Sequence, residues 1–204
     1  MRRPIVALLG PAGAGKSVVG RHLAGLLAWQ QRSLDASCWE HYRDVPEVAL
    51  AERELGALND ARTTADRADY LQRLAATIGP GWPRLWERMR THAILRALEG
   101  EAPAVVDFGA GHGRLREPAL RGAVEAALAE CQLAVWLQPW PSAAASAELL
   151  LARLRAQGRS MSRRTLRADC TATCRLRAVS PLYTEEREPA VVAAALRELL
   201  RARS

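Results

Sequence analysis

Eight residues near the start of the chain, Gly10-Pro11-Ala12-Gly13-Ala14-Gly15-Lys16-Ser17, combine three glycines with a lysine and a hydroxyl. Glycines let the backbone curl until several N–H groups point at one spot, and a helix starting there adds the positive end of its dipole. Such a ring of donors holds a phosphate. The Lys16 ammonium can then reach the next phosphates along, and the Ser17 hydroxyl is a hard oxygen ligand for Mg²⁺. The pattern predicts a nucleoside triphosphate, ATP, gripped by Gly10, Ala12, Gly13, Ala14, Gly15, Lys16, Ser17 and Val18. Lys16 is also the single lysine of a chain with 28 arginines. A compact ammonium fits inside a tight loop where a planar guanidinium does not.

Asp107 follows a second apolar run, where a phosphate-binding loop expects the carboxylate that holds Mg²⁺; its alternative role is to cap the turn at Gly109. Asp35 ends a presumed short strand and is a candidate base for a substrate hydroxyl, or else a helix cap. Gly109-Ala110-Gly111-His112 offers close backbone approach to a substrate, or a plain tight turn. His112 either touches that substrate or is structural. Between Arg153 and Arg177 stand eight arginines and one acid, Asp169. One to three of them could neutralise charge on a transferring phosphoryl group, Arg155, Arg159, Arg163 and Arg164 first, around the hinge-like Gly158. Cys170 and Cys174 lack the further ligands a zinc site needs. Trp136 reads as core, while Trp82 and Trp86, four apart on one helix, either line a substrate pocket or simply pack.

These residues need a frame. Ile5–Leu9, Gln31–Asp35, Ala104–Phe108, Leu133–Leu137 and Val179–Tyr183 read as five strands. Helices are expected from Lys16 to about Ala28, from about Glu117 to Cys131, from Pro141 to Gly158 and from Pro189 onward. Cys38 to Gly100 carries only helical patterns, with Pro46 opening one, Asn59 capping a second that ends at Gly79, and a third running from about Pro83 to Glu99. Alternating strands and helices imply an α/β domain over residues 1–204, a parallel sheet in three layers, with a helical insert at about 38–100 and a lid at about 153–177.

The 204 residues, 49% hydrophobic and 25% charged, suit one globular domain. No apolar run approaches the ~20 residues that cross a bilayer, and four cysteines are too few for a disulfide framework. A cytoplasmic protein is expected. The net charge of +7 is confined to Arg153–Arg177, since the rest of the chain has 21 basic and 21 acidic residues. That distribution fits a lid closing on phosphates better than a nucleic-acid face. The expected partner is a small molecule, handled by a monomer or homodimer.

From Val6 to Ala28 the chain resembles the opening of shikimate kinases, through the loop quoted above and Val18-Val19-Gly20-Arg21-His22-Leu23-Ala24. The resemblance continues at Leu34-Asp35, at Gly109-Ala110-Gly111 and at Tyr183-Thr184-Glu185-Glu186-Arg187-Glu188-Pro189. It implies a nucleotide-kinase-like P-loop fold and places Arg187 and Pro189 against adenine. The departures fall on substrate contacts: Ser37 stands where the family has a second aspartate, Ala110 interrupts a three-glycine turn, and the helical insert is longer. Asp107-Phe108-Gly109-Ala110-Gly111-His112 resembles a shikimate-kinase-like group of ATP-binding proteins. The implied activity is transfer of the γ-phosphoryl group of ATP to a hydroxyl of a small metabolite. A nucleoside or nucleotide kinase and a non-catalytic ATP-binding regulator are the alternatives.

Overall fold

The computed structural model describes residues 2–55, 64–171 and 176–202. Its strands are β1 (Arg3–Leu9), β2 (Gln30–Ser33), β3 (Ala104–Asp107), β4 (Cys131–Gln138) and β5 (Ser180–Tyr183). Its helices are α1 (Lys16–Leu27), α2 (Leu34–Tyr42), α3 (Pro46–Leu55), α4 (Thr64–Ile78), α5 (Trp82–Ala97), α6 (Pro118–Ala129), α7 (Ala143–Ala156), α8 (Arg163–Asp169) and α9 (Pro189–Arg201). The five strands form one parallel sheet in the order β2-β3-β1-β4-β5.

β1 is central, so both its faces are covered. Ile5, Ala7 and Leu9 pack towards α2 to α6, whereas Val6 and Leu8 pack towards α1 and α9. A strand covered on both sides must be apolar at every position, which is why it appears in the sequence as an unbroken run. The α/β, three-layer expectation is met.

The structure shifts one boundary that matters. β2 ends at Ser33 rather than at Asp35, and α2 begins immediately at Leu34. Ser33 is the extended residue before the helix (φ −97°, ψ 116°), so Asp35 lies in the first turn of α2. A carboxylate there is favoured by the helix dipole, and that preference outweighs continuation of a polar edge strand. The helix expected to start near Cys38 is this one. The Asn59 cap lies outside the described residues.

α7 and α8 do more than carry arginines. Leu150, Leu151, Leu154, Leu166 and Cys170 close over Ala12 and Ala14 of the loop that follows β1. The base of the arginine-rich segment is therefore seated on the loop's own alanines.

Candidate active site

β1 ends at Leu9, and the chain turns through the loop to α1 with Gly13 (φ 77°) and Gly15 (φ 84°) left-handed. Lys16 is the first residue of α1. Its side chain folds back, and Nζ donates to the Pro11 carbonyl at 2.8 Å. Only 8% of Lys16 is exposed. Burial pushes its pKa down to about 8, against the pull of Asp35, Asp107 and Asp169. Near neutral pH the ammonium persists, held among three carboxylates.

Asp107, at the end of β3, is 3% exposed and gathers three donors. Ser17 Oγ donates to Oδ1 at 2.7 Å, Ser33 Oγ to Oδ1 at 3.2 Å, and Gln31 Nε2 to Oδ2 at 2.9 Å. The register that pairs Ser33 with Asp107 brings β2 into the site. Ser17 and Asp107, expected together around a metal, are thus in direct contact. Gln31 and Ser33 were not foreseen, because β2 is a short polar edge strand with no pattern of its own.

Asp35 faces the cleft with a side chain 70% exposed, and its Oδ1 lies 3.8 Å from His112 Nδ1. Partial burial raises its pKa and the nearby Lys16 ammonium opposes the rise, while cleft water screens both effects. A Cβ at Gly109 would overlap Asp35 Oδ1 and come within 2.7 Å of His112 Nδ1. Gly109 is bare because these two side chains converge where its own would be.

His112 is 5% exposed. Its Nδ1 faces the Gly109 carbonyl at 3.3 Å, and Nε2 is buried without a hydrogen-bond partner. Burial, reinforced by Arg90, lowers its pKa from 6.5 to about 4. The unfolded chain therefore takes up a proton before the folded one does. Stability is intact above pH 6.5 and falls towards pH 4, by about 3 kcal/mol for this group. Urea unfolding from pH 7 to 4 should show that acid loss in the parent and a flatter profile in His112→Asn; matching slopes would place the ring in solvent.

Most of the remaining expected residues line two pockets. Ala12, Gly13, Gly15, Lys16, Ser17, Val18, Asp35 and Ala110 line a pocket of about 250 Å³, closed on one side by Arg159. Ala14, Arg187 and Pro189 line an adjoining pocket of about 240 Å³ with Gly15 and Arg153. Gly10 lies beneath the loop, against β4. Gly111 turns its carbonyl to Arg90. Arg155 is exposed on α7 outside both pockets, and Arg163 is paired with Glu148 at 2.9 Å. Arg159 is the arginine whose charge is felt by Lys16 and Asp35. Asp169, 1% exposed, meets Arg114 at 2.8 Å in an ion pair without hydrogen-bond alignment, and it also acts on Lys16. It was visible in the sequence only as the lone acid in a run of arginines.

No protein-family model and no curated protein matches the sequence. Among solved structures, a shikimate kinase from Acinetobacter baumannii in complex with shikimate superposes with a TM-score of 0.63 at 19% identity, covering 98% of this chain and 94% of that one. A shikimate kinase from Bacteroides thetaiotaomicron gives 0.55 at 18% identity, covering 97% and 98%. At such identities the likeness speaks for architecture. The chain has the shikimate-kinase-like P-loop fold, a five-stranded parallel sheet between helical layers.

Proposed function

We propose that this protein is an ATP- and Mg²⁺-dependent phosphotransferase that moves the γ-phosphoryl group of ATP to a hydroxyl of a small metabolite. The observation that carries the reading is the contact of Ser17 with Asp107 beside the buried Lys16 ammonium, at the mouth of a loop with left-handed glycines. A hydroxyl and a carboxylate 2.7 Å apart form a hard-oxygen pair suited to Mg²⁺, which keeps several waters and takes one or two protein oxygens plus phosphates. Mg²⁺ there would supply charge neutralisation between the β- and γ-phosphates.

The chain's own groups divide the rest. Loop amides and Lys16 hold the triphosphate, while Arg187 and Pro189 flank the base. Arg159 faces the phosphates from the lid, with Arg155 and Arg163 further out. Asp35 receives the proton of the acceptor hydroxyl, and the upward push of partial burial on its pKa makes it a stronger base for that proton. Gly109, Ala110, Gly111 and His112 form the wall against which the acceptor rests. The helical insert and the lid belong to one domain, in a cytoplasmic protein that acts without nucleic acid or membrane.

The test is ADP release with Mg²⁺–ATP against nucleosides on one side and polyols and cyclitols on the other. Release dependent on one hydroxyl acceptor is expected. Calorimetry that finds no affinity for any purine or pyrimidine triphosphate would overturn the reading. Tight ATP binding with no acceptor turned over would instead support the non-catalytic alternative. Ser37 is the observation behind that second reading: its hydroxyl is turned back onto the Ser33 carbonyl at 3.2 Å and brings no charge to the cleft.

A further inference from the structure

A cavity lies between α5 and the loop that leads into α6, lined by Trp82, Trp86, Glu87, Arg90, Arg114 and Arg116. It measures about 630 Å³, within the range of small-molecule sites. One wall is aromatic. The Trp82 and Trp86 rings are stacked with centroids 5.5 Å apart and planes 23° off parallel. Arg90 lies over Trp86 at 5.6 Å from the ring centroid.

The charges of the cavity do not cancel. Arg84 is paired with Glu117 at 3.3 Å, and Arg114 with Asp169. Glu87 is buried and already engaged, since its carboxylate accepts the backbone N–H groups of Arg116 and Glu117. That leaves two guanidinium groups against the one Glu87 carboxylate, whose charge acts on Arg90, so the lining keeps a net positive charge. Arg90 donates only to carbonyls, those of Gly111, Arg114 and Trp86, and has no ion-pair partner among the described residues. The Arg116 side chain has none either. A half-buried guanidinium satisfied by dipoles alone retains its full charge in a setting where water screens it poorly.

We infer that this cavity binds a planar, ring-bearing anion, with its ring on the Trp82–Trp86 wall and its carboxylate or phosphate between Arg90 and Arg116. Both halves of such a ligand meet a complementary surface: the Trp82 end of the indole stack for the flat ring, and guanidinium donors for two anionic oxygens. The cavity is joined to the phosphate site by covalent and polar links. Arg90 grips the Gly111 carbonyl, two residues from the bare Gly109 that accommodates Asp35. That this ligand is the phosphoryl acceptor rests on the phosphotransfer reading. The chemistry of the cavity does not.

Calorimetric titration with four probes tests the inference: 2-naphthoate, 1-naphthyl phosphate, neutral 2-naphthol and non-planar cyclohexanecarboxylate. At least one naphthyl anion should bind about tenfold tighter than both controls. Comparing the two anions tells whether carboxylate or phosphate is preferred. Trp82→Leu and the exposed Arg116→Ser should each weaken that anion about tenfold while leaving Mg²⁺–ATP affinity unchanged, and Arg116→Ser should leave the melting temperature unchanged as well. Equal binding of 2-naphthol, failure of both anions to bind, or indifference to both substitutions would overturn it. Parallel ATP titrations separate the two claims. If ATP binds and neither anion does, the cavity assignment falls alone; if an anion binds and ATP does not, the phosphotransfer reading falls alone.

Discussion

Gly10→Ala is expected to cost at least about 4 kcal/mol of stability. Gly10 has φ 145°, a conformation that L side chains rarely adopt. An added Cβ would overlap the Leu137 carbonyl oxygen and stand 3.2 Å from its carbon. That obstacle is backbone near the end of β4, held by the parallel pairing of Leu137 with Leu182 of β5. It cannot swing away as a side-chain tip can, so the loop must leave the sheet or β4 must deform. Urea denaturation provides the measurement, with Gly25→Ala in α1 and Gly122→Ala in α6 as internal controls. Neither control meets any atom within 4 Å, and each should gain about 0.5–1 kcal/mol from helix propensity. A Gly10→Ala protein within about 1 kcal/mol of the parent would contradict the close approach of loop and strand.

Lys16→Met should abolish activity and raise stability together. The functional loss follows from removing the one ammonium in the phosphate loop, an effect of about 10² to 10³ in turnover, with a clear drop in triphosphate affinity. The gain follows from linkage. The folded pKa of about 8 lies below the value of 10.5 expected for an unburied lysine. Folding therefore disfavours the charged form, with no penalty above pH 10.5 and the full penalty below about 8. That difference corresponds to about 3 kcal/mol, offset by about 1 kcal/mol when the Pro11 carbonyl loses its donor. Methionine keeps the volume without the charge. At pH 7 the variant should melt higher than the parent, and the gap should close as pH rises past 10. Undiminished ADP release, or a lower melting temperature at pH 7, would count against the role assigned to this ammonium.

The parts of the fold that were legible in the sequence share a cause. β1, β3 and β4 are covered on both faces and so carry the apolar runs Ile5–Leu9, Ala104–Val106 and Leu133–Leu137, and the loop after β1 needs glycines whatever surrounds it. β2 had no such signature. Gln30-Gln31-Arg32-Ser33 is a polar edge strand specified by its pairing with β3, and a one-strand reading ran on through Leu34 and Asp35, which are helical. Within the site, Lys16, Ser17 and Asp107 announce themselves by type and position. Gln31 and Arg90 do not, because a glutamine in a polar strand and one arginine among 28 become notable only when folding delivers them to Asp107 and Gly111. Trp82 and Trp86 stood four apart on one helix, which foretold that they would meet but not that they would face a charged cavity.

Gly109 and Asp35 compete for one small volume, although they are far apart in the chain. The Asp35 carboxylate is the tip of a side chain open to the cleft and can turn outwards from a methyl group at position 109, whereas the buried His112 ring, 2.7 Å from the same point, has to shift as well. Drift at this position would strain the buried ring and displace the proton acceptor together. A lineage could lose the proton acceptor through a change in a residue that never touches the proton, and recover it only if the alanine reverted or position 35 were remodelled in step.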